Sequence, residues 1–123
     1  MTHKLLLVDD SGLARRSMRA MLEPAGFVVI EAEDGMTALE RYSIDQPDVV
    51  ILDLVMKGMY GLDVLTKLRQ LDPAARVVVI SADVQQSSQD MVHAAGAIGF
   101  LTKPVERELV LSVVRGALED PRP

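Results

Sequence analysis

Five short runs of large aliphatic residues recur along the chain with almost nothing polar inside them: Leu5–Val8, Val28–Ile30, Val49–Leu52, Val77–Ile80 and a weaker Ile98–Leu101. A strand with one wet face alternates apolar and polar residues, whereas a strand covered on both faces has no reason to. Runs of this length and composition therefore predict a sheet buried on both sides. Between them lie stretches with apolar residues at intervals of three and four. These are Ala14, Met18, Met21, Leu22 and Ala25; then Leu62, Leu65 and Leu68, widened by Val64 and Leu71; and last Leu109, Val110, Val113, Val114 and Ala117. That period predicts amphipathic helices. Strand and helix alternate five times, which predicts an α/β domain: a five-stranded parallel sheet with helices on both faces.

The punctuation fits. Ser11 is placed to cap the first helix and Gly26 to end it. Asp34-Gly35 marks the turn into the second helix, Gln46-Pro47-Asp48 leads into the third strand and Asp72-Pro73 closes the third helix. Gly96 follows the fourth helix, and Pro104 stands where a fifth is expected to begin.

With 123 residues, 49% of them hydrophobic, the chain is expected to form one compact domain over 1–123. The net charge of -5 argues against direct nucleic-acid binding, which needs a basic face. Phe27, Tyr42, Tyr60 and Phe100 are the only aromatic residues, too few for base-stacking platforms. The absence of cysteine excludes disulfides and thiolate metal sites. No apolar stretch is long enough for a membrane span, so a soluble, cytoplasmic protein is expected.

In open α/β sheets, ligands bind outside the carboxyl ends of the strands. The first strand is followed there by Asp9 and Asp10, the third ends at Asp53, the fourth leads to Ser81 and the fifth to Lys103. The second runs less tidily into Glu31-Ala32-Glu33-Asp34. Singly, each has an ordinary reading: Asp10 as a turn former, Lys103 as a surface lysine, Ser81 as nothing in particular. Jointly, they place three carboxylates, a hydroxyl and an ammonium on one edge. Adjacent carboxylates repel one another and resist desolvation, so the pair Asp9–Asp10 makes sense if a cation neutralises it. Hard oxygen ligands favour magnesium or calcium, and a shallow site with few carboxylates suits Mg2+ best. Asp53 then has a second role open to it, as a nucleophile toward phosphorus, with Lys103 and Ser81 contacting phosphoryl oxygens.

The segments "LLLVDDS", "VVILDLVMKGMYGLDVL", "VVVISA" and "GFLTKP" resemble the receiver domains of bacterial two-component response regulators, and in particular the single-domain, chemotaxis-type receivers. The match runs from Lys4 to about Leu118. The resemblance implies a flavodoxin-like sheet of order 2-1-3-4-5. It implies that Asp53 accepts a phosphoryl group from a histidine kinase or histidine phosphotransfer protein, and that Asp9, Asp10, Asp53 and the backbone carbonyl of Val55 hold Mg2+. It further implies that Lys103 binds phosphate, that Ser81 and Phe100 are the switch residues, and that a downstream target reads the surface of helix four, strand five and helix five. The chain departs from the family at Lys57, where proline is usual, and at Ser81, where threonine is common. The resemblance also implies that Val55 and Asp83 occupy two positions that vary across the family and tune phosphoryl lifetime. Met56, Met59 and Tyr60 are expected to pack a loop onto the third helix. His3 and His93 are expected at the surface, away from the site. With Leu109, Val113 and Ala117 toward the sheet, Leu111 is expected outward, as a target or homodimer contact.

Three other classes compete. A magnesium-dependent phosphatase of the haloacid-dehalogenase type would carry its nucleophile on the first strand in an Asp-x-Asp pattern, where this chain has Asp9-Asp10. A flavin carrier would need a hydroxyl- and glycine-rich phosphate loop after the first strand and more aromatic residues. A phosphorylation-independent scaffold would not need the full set of site residues.

Overall fold

The computed structural model describes residues 2–56, 58, 60–82 and 85–121. Its elements alternate as expected: β1 (Lys4–Val8), α1 (Gly12–Leu22), β2 (Val28–Ala32), α2 (Gly35–Asp45), β3 (Val49–Asp53), α3 (Gly61–Leu71), β4 (Val77–Ser81), α4 (Gln86–Ala94), β5 (Gly99–Thr102) and α5 (Arg107–Leu118). The five strands form one parallel sheet in the order β2-β1-β3-β4-β5. No helix among the described residues is long and apolar enough to cross a membrane.

The missing alternation in the strands now has its cause. Successive side chains point to opposite faces, and both faces are cores. Leu6, Val8, Val50, Leu52, Val77 and Val79 meet Ala38 and Tyr42 of α2, Val64, Leu65 and Leu68 of α3 and Val92 of α4. Leu5, Leu7, Val49, Ile51, Val78 and Ile80 meet Met18 and Leu22 of α1 and Val110, Leu111, Val114 and Ala117 of α5.

Ser11 caps α1, accepting from the Ala14 amide at 3.2 Å, and Asp34 caps α2, accepting from Thr37 at 2.7 Å. Other boundaries shift. Gly26, at φ 98°, closes a 3-10 turn over Glu23–Ala25 that follows α1, not α1 itself. Pro104 does not open α5; it follows Lys103 in a cis peptide bond, and the helix starts at Arg107 behind Glu106 as N-cap. Leu71, the last residue of α3, overhangs the core and is 59% exposed.

The orientation of α5 corrects the sequence reading. Leu111 is 4% exposed and Leu109 is 51% exposed. Both lie about 100° from Val110 around the helix, so the later turns decide between them. The edge of Leu111 continues through Val114 and Leu118, which pack into the core. The edge of Leu109 continues through Ser112 and Gly116, which face water. Leu111 is thus a core residue. Met56 is buried as expected, whereas Tyr60 is half-exposed at the N-cap of α3. His93 is exposed, and half-exposed His3 faces Asp48. Lys57, Met59 and Asp83 lie outside the described residues.

Candidate functional site

Strand register assembles the site. Val8 pairs with Leu52, so the next residues, Asp9 and Asp53, stand side by side. Asp53 pairs with Ile80 and Ser81 with Thr102, which brings the ends of β3, β4 and β5 level. The Lys103 amide donates to the Ser81 carbonyl at 2.9 Å and extends that rung. Residues from four segments distant in sequence therefore share one edge because their strands stop together.

Asp9, Asp10 and Asp53 offer carboxylate oxygens that all lie within 4.8 Å of one another. Asp9 and Asp53 are buried and Asp10 is exposed, which gives the cluster a floor and an open side. Lys103 Nζ donates to Asp9 Oδ2 at 3.1 Å and to Asp53 Oδ2 at 3.4 Å. The other Asp9 oxygen, Oδ1, accepts from the Ser11 amide at 2.9 Å, and Asp53 Oδ1 accepts from the Val55 amide at 3.3 Å. Ser81 is buried at the end of β4. Phe100 is half-buried and packs against the core beneath α2, α3 and α4. The Val55 side chain is 62% exposed.

Burial, followed by the charge of Asp9, holds the Asp53 carboxyl above the ordinary carboxylate range; Lys103 opposes this without cancelling it. Burial acts to lower the Lys103 pKa, but its hydrogen bond to Asp9 and the nearby charges of Asp53 and Asp9 outweigh that, and it stands above its usual value. The ammonium is thus firmly charged and still too little to satisfy three carboxylates. An all-oxygen donor set with a charge deficit fits a hard dication such as Mg2+.

A raised pKa in the folded state means that the folded protein binds the proton more readily than the unfolded chain. In metal-free protein, the Asp53 contribution to stability is therefore fully present below its unfolded pKa and is lost as pH rises through the raised folded value. Once ionised, the carboxylate is therefore a destabilising group in the metal-free protein. Asp53→Asn is expected to raise the urea midpoint in EDTA at pH 7 and to flatten its dependence on pH above the ordinary carboxylate range. A variant no more stable than wild type at pH 7 contradicts this electrostatic account.

Two features of the site escape motif reading. Gly61 lies where α3 begins, against the backbone of Asp53 and Leu54, and its amide donates to the Leu54 carbonyl at 2.8 Å. Arg15 on α1 donates from Nη1 to the Asp9 carbonyl at 2.6 Å. The only sequence hints were a glycine after a loop and an arginine in the first turns of a helix, both commonplace.

Comparison with known proteins agrees with this geometry. Residues 5–115 match the model for the response regulator receiver domain. The chemotaxis protein CheY of Bacillus subtilis is 38% identical over 119 residues, covering 96% of this chain and 99% of that protein. The nitrate/nitrite response regulator protein NarP of Escherichia coli is also 38% identical, over 91% of this chain but 53% of its own length. Among solved structures, Vibrio cholerae chemotaxis protein CheY4 superimposes with a TM-score of 0.91 at 28% identity, covering 95% of this chain and 99% of that one. The CheX-CheY-BeF3-Mg+2 complex from Borrelia burgdorferi matches with a TM-score of 0.88 at 32% identity, covering 93% of this chain and 87% of that one. The chain belongs to the response regulator receiver domain family.

Proposed function

We propose that residues 1–123 act as one receiver domain, a phosphorylation-activated switch of two-component signalling whose phosphoacceptor is Asp53. The observation that carries this reading is the convergence of Asp9, Asp10 and Asp53 within 4.8 Å, with Lys103 bonded to two of them. An oxygen of Asp53 attacks phosphorus in line as the bond to the donor atom breaks, and the donor leaves with the electron pair. The donor fitting this family is the phosphohistidine of a kinase or phosphotransfer protein. Asp9, Asp10, Asp53 and the Val55 carbonyl would hold Mg2+, which supplies charge neutralisation at the phosphoryl oxygens when bound. Lys103 offers a positive charge to one phosphoryl oxygen and Ser81 a hydroxyl to another. New contacts made only in the phosphorylated state then favour a second packing around Ser81 and Phe100. The surface that changes is that of α4, β5 and α5, where Met91 and Leu109 stand outward for a target protein or a second copy.

Receiver domains are signalling proteins, so turnover of free substrates is not expected. Asp9-Asp10, directly after β1, lacks the Asp-x-Asp spacing of the competing phosphatase reading. Incubation with acetyl phosphate and magnesium is expected to add a phosphoryl group to the protein, and EDTA to prevent it. Steady hydrolysis of p-nitrophenyl phosphate without a phosphorylated protein would instead support the hydrolase.

A further inference from the structure

Arg15 touches the acidic centre without belonging to it. Its Nε donates to Glu31 Oε1 at 2.7 Å while Nη1 reaches the Asp9 carbonyl at 2.6 Å. Glu31 Oε2 is engaged in turn by Arg19, at 2.9 Å from Nε and 2.8 Å from Nη2, and Arg19 also reaches the Val29 carbonyl at 3.1 Å. Arg15 is therefore anchored to β2 through a carboxylate that is itself held from both sides.

The need for this grip lies in where β2 stops. The Asp9 amide still donates to the Ala32 carbonyl at 3.2 Å. The next rung would have to come from beyond Ala32, but there β2 ends and the chain turns to let Asp34 cap α2. The Asp9 carbonyl has passed the end of the ladder, and Arg15 supplies the donor that a longer strand would have given. Ser11 and Lys103 hold the two carboxylate oxygens, so Arg15 completes the restraint of Asp9.

The gripped oxygen belongs to the peptide that joins Asp9 to Asp10. That peptide is rigid and planar, so fixing its oxygen directs where the Asp10 Cα stands. A bare guanidinium beside three carboxylates would work against a dication. Glu31 offsets that charge while leaving the hydrogen bond in place.

We propose that Arg15, anchored by Glu31, is a positioning residue that aims the Asp9–Asp10 pair at a shared dication. The inference rests on the metal reading given above. Charge and position predict opposite signs. If Arg15 were only a neighbouring cation, removing it would tighten dication binding; if it positions the pair, removing it weakens binding. Mn2+ serves as a hard-oxygen probe whose free form is counted by electron paramagnetic resonance. Arg15→Ala is expected to bind Mn2+ about ten-fold more weakly than wild type, as for other residues that orient metal ligands. Arg15→Lys keeps the charge but cannot span Glu31 and the carbonyl with one ammonium, so it is expected to bind more weakly still. The Asp10 amide nitrogen resonance of metal-free protein is expected to move in both variants. Arg15→Ala binding Mn2+ as tightly as wild type, or more tightly, overturns the proposal. Should Arg15→Ala fail to fold, Arg15→Met decides, because it keeps the packed stem and removes both the charge and the donors: weaker binding supports the proposal, and unchanged or tighter binding overturns it. A wild-type protein that binds no Mn2+ removes the metal reading itself, and this inference with it.

Discussion

Leu111→Glu is expected to unfold most of the protein at room temperature, while Leu109→Glu leaves its stability within about 0.5 kcal/mol of wild type. The two leucines are two residues apart on α5 and differ in what surrounds them. Leu111 is 4% exposed within the core that α1 and α5 build on the sheet, whereas Leu109 is 51% exposed. Glutamate at 111 loses the burial of a leucine side chain, about 2 kcal/mol, and places a carboxylate among aliphatic groups. Neutralising that carboxylate by proton uptake at pH 7 costs several kcal/mol more. The sum reaches the roughly 5–15 kcal/mol that holds a domain of this size together. Urea denaturation followed by circular dichroism compares the two variants directly. A folded Leu111→Glu, or an unfolded Leu109→Glu, would show that the facing of α5 is wrong.

The second large effect concerns Gly61→Ala. A Cβ at this position would lie 2.5 Å from the Asp53 carbonyl oxygen, 2.6 Å from Leu54 Cα and 2.8 Å from the Leu54 carbonyl oxygen. All three are backbone atoms, so no side chain can swing aside. Either the first turn of α3 lifts, breaking the 2.8 Å bond from Gly61 to Leu54, or the end of β3 moves. We expect a loss of about 3 kcal/mol, at the upper end for overpacking a tight site. The strain falls on Asp53, the proposed phosphoacceptor, so phosphoryl uptake by the folded fraction is expected to slow as well. Wild-type stability in Gly61→Ala would mean that the close approach is not real.

Much of this was open to reading from sequence because each signal was local and strong. Buried parallel strands announce themselves by lacking polar residues, and Asp9, Asp53, Ser81 and Lys103 stand at or one residue past the ends of four of them. Since parallel strands stop level, strand ends in sequence become neighbours in space. Helix facing was harder. On α5 four apolar residues within five positions, Leu109, Val110, Leu111 and Val113, leave the stripe undecided until later turns are weighed. Pro104 misled for another reason: proline suits both a helix start and an irregular connection, and only the chain path chooses. Gly61 and Arg15 could not be found from pattern, because their importance comes from backbone atoms of residues remote from them in sequence. Glu31, at the untidy end of β2, was visible as a charge but not as the anchor of an arginine.

The central claim is that Asp53 receives the phosphoryl group, and mass spectrometry after exposure to acetyl phosphate and magnesium tests it most directly. Wild-type protein is predicted to gain one phosphoryl group, mapped to the peptide containing Asp53, and Asp53→Asn to gain none. A phosphorylated Asp53→Asn protein, or a wild-type modification mapped elsewhere, would contradict the account.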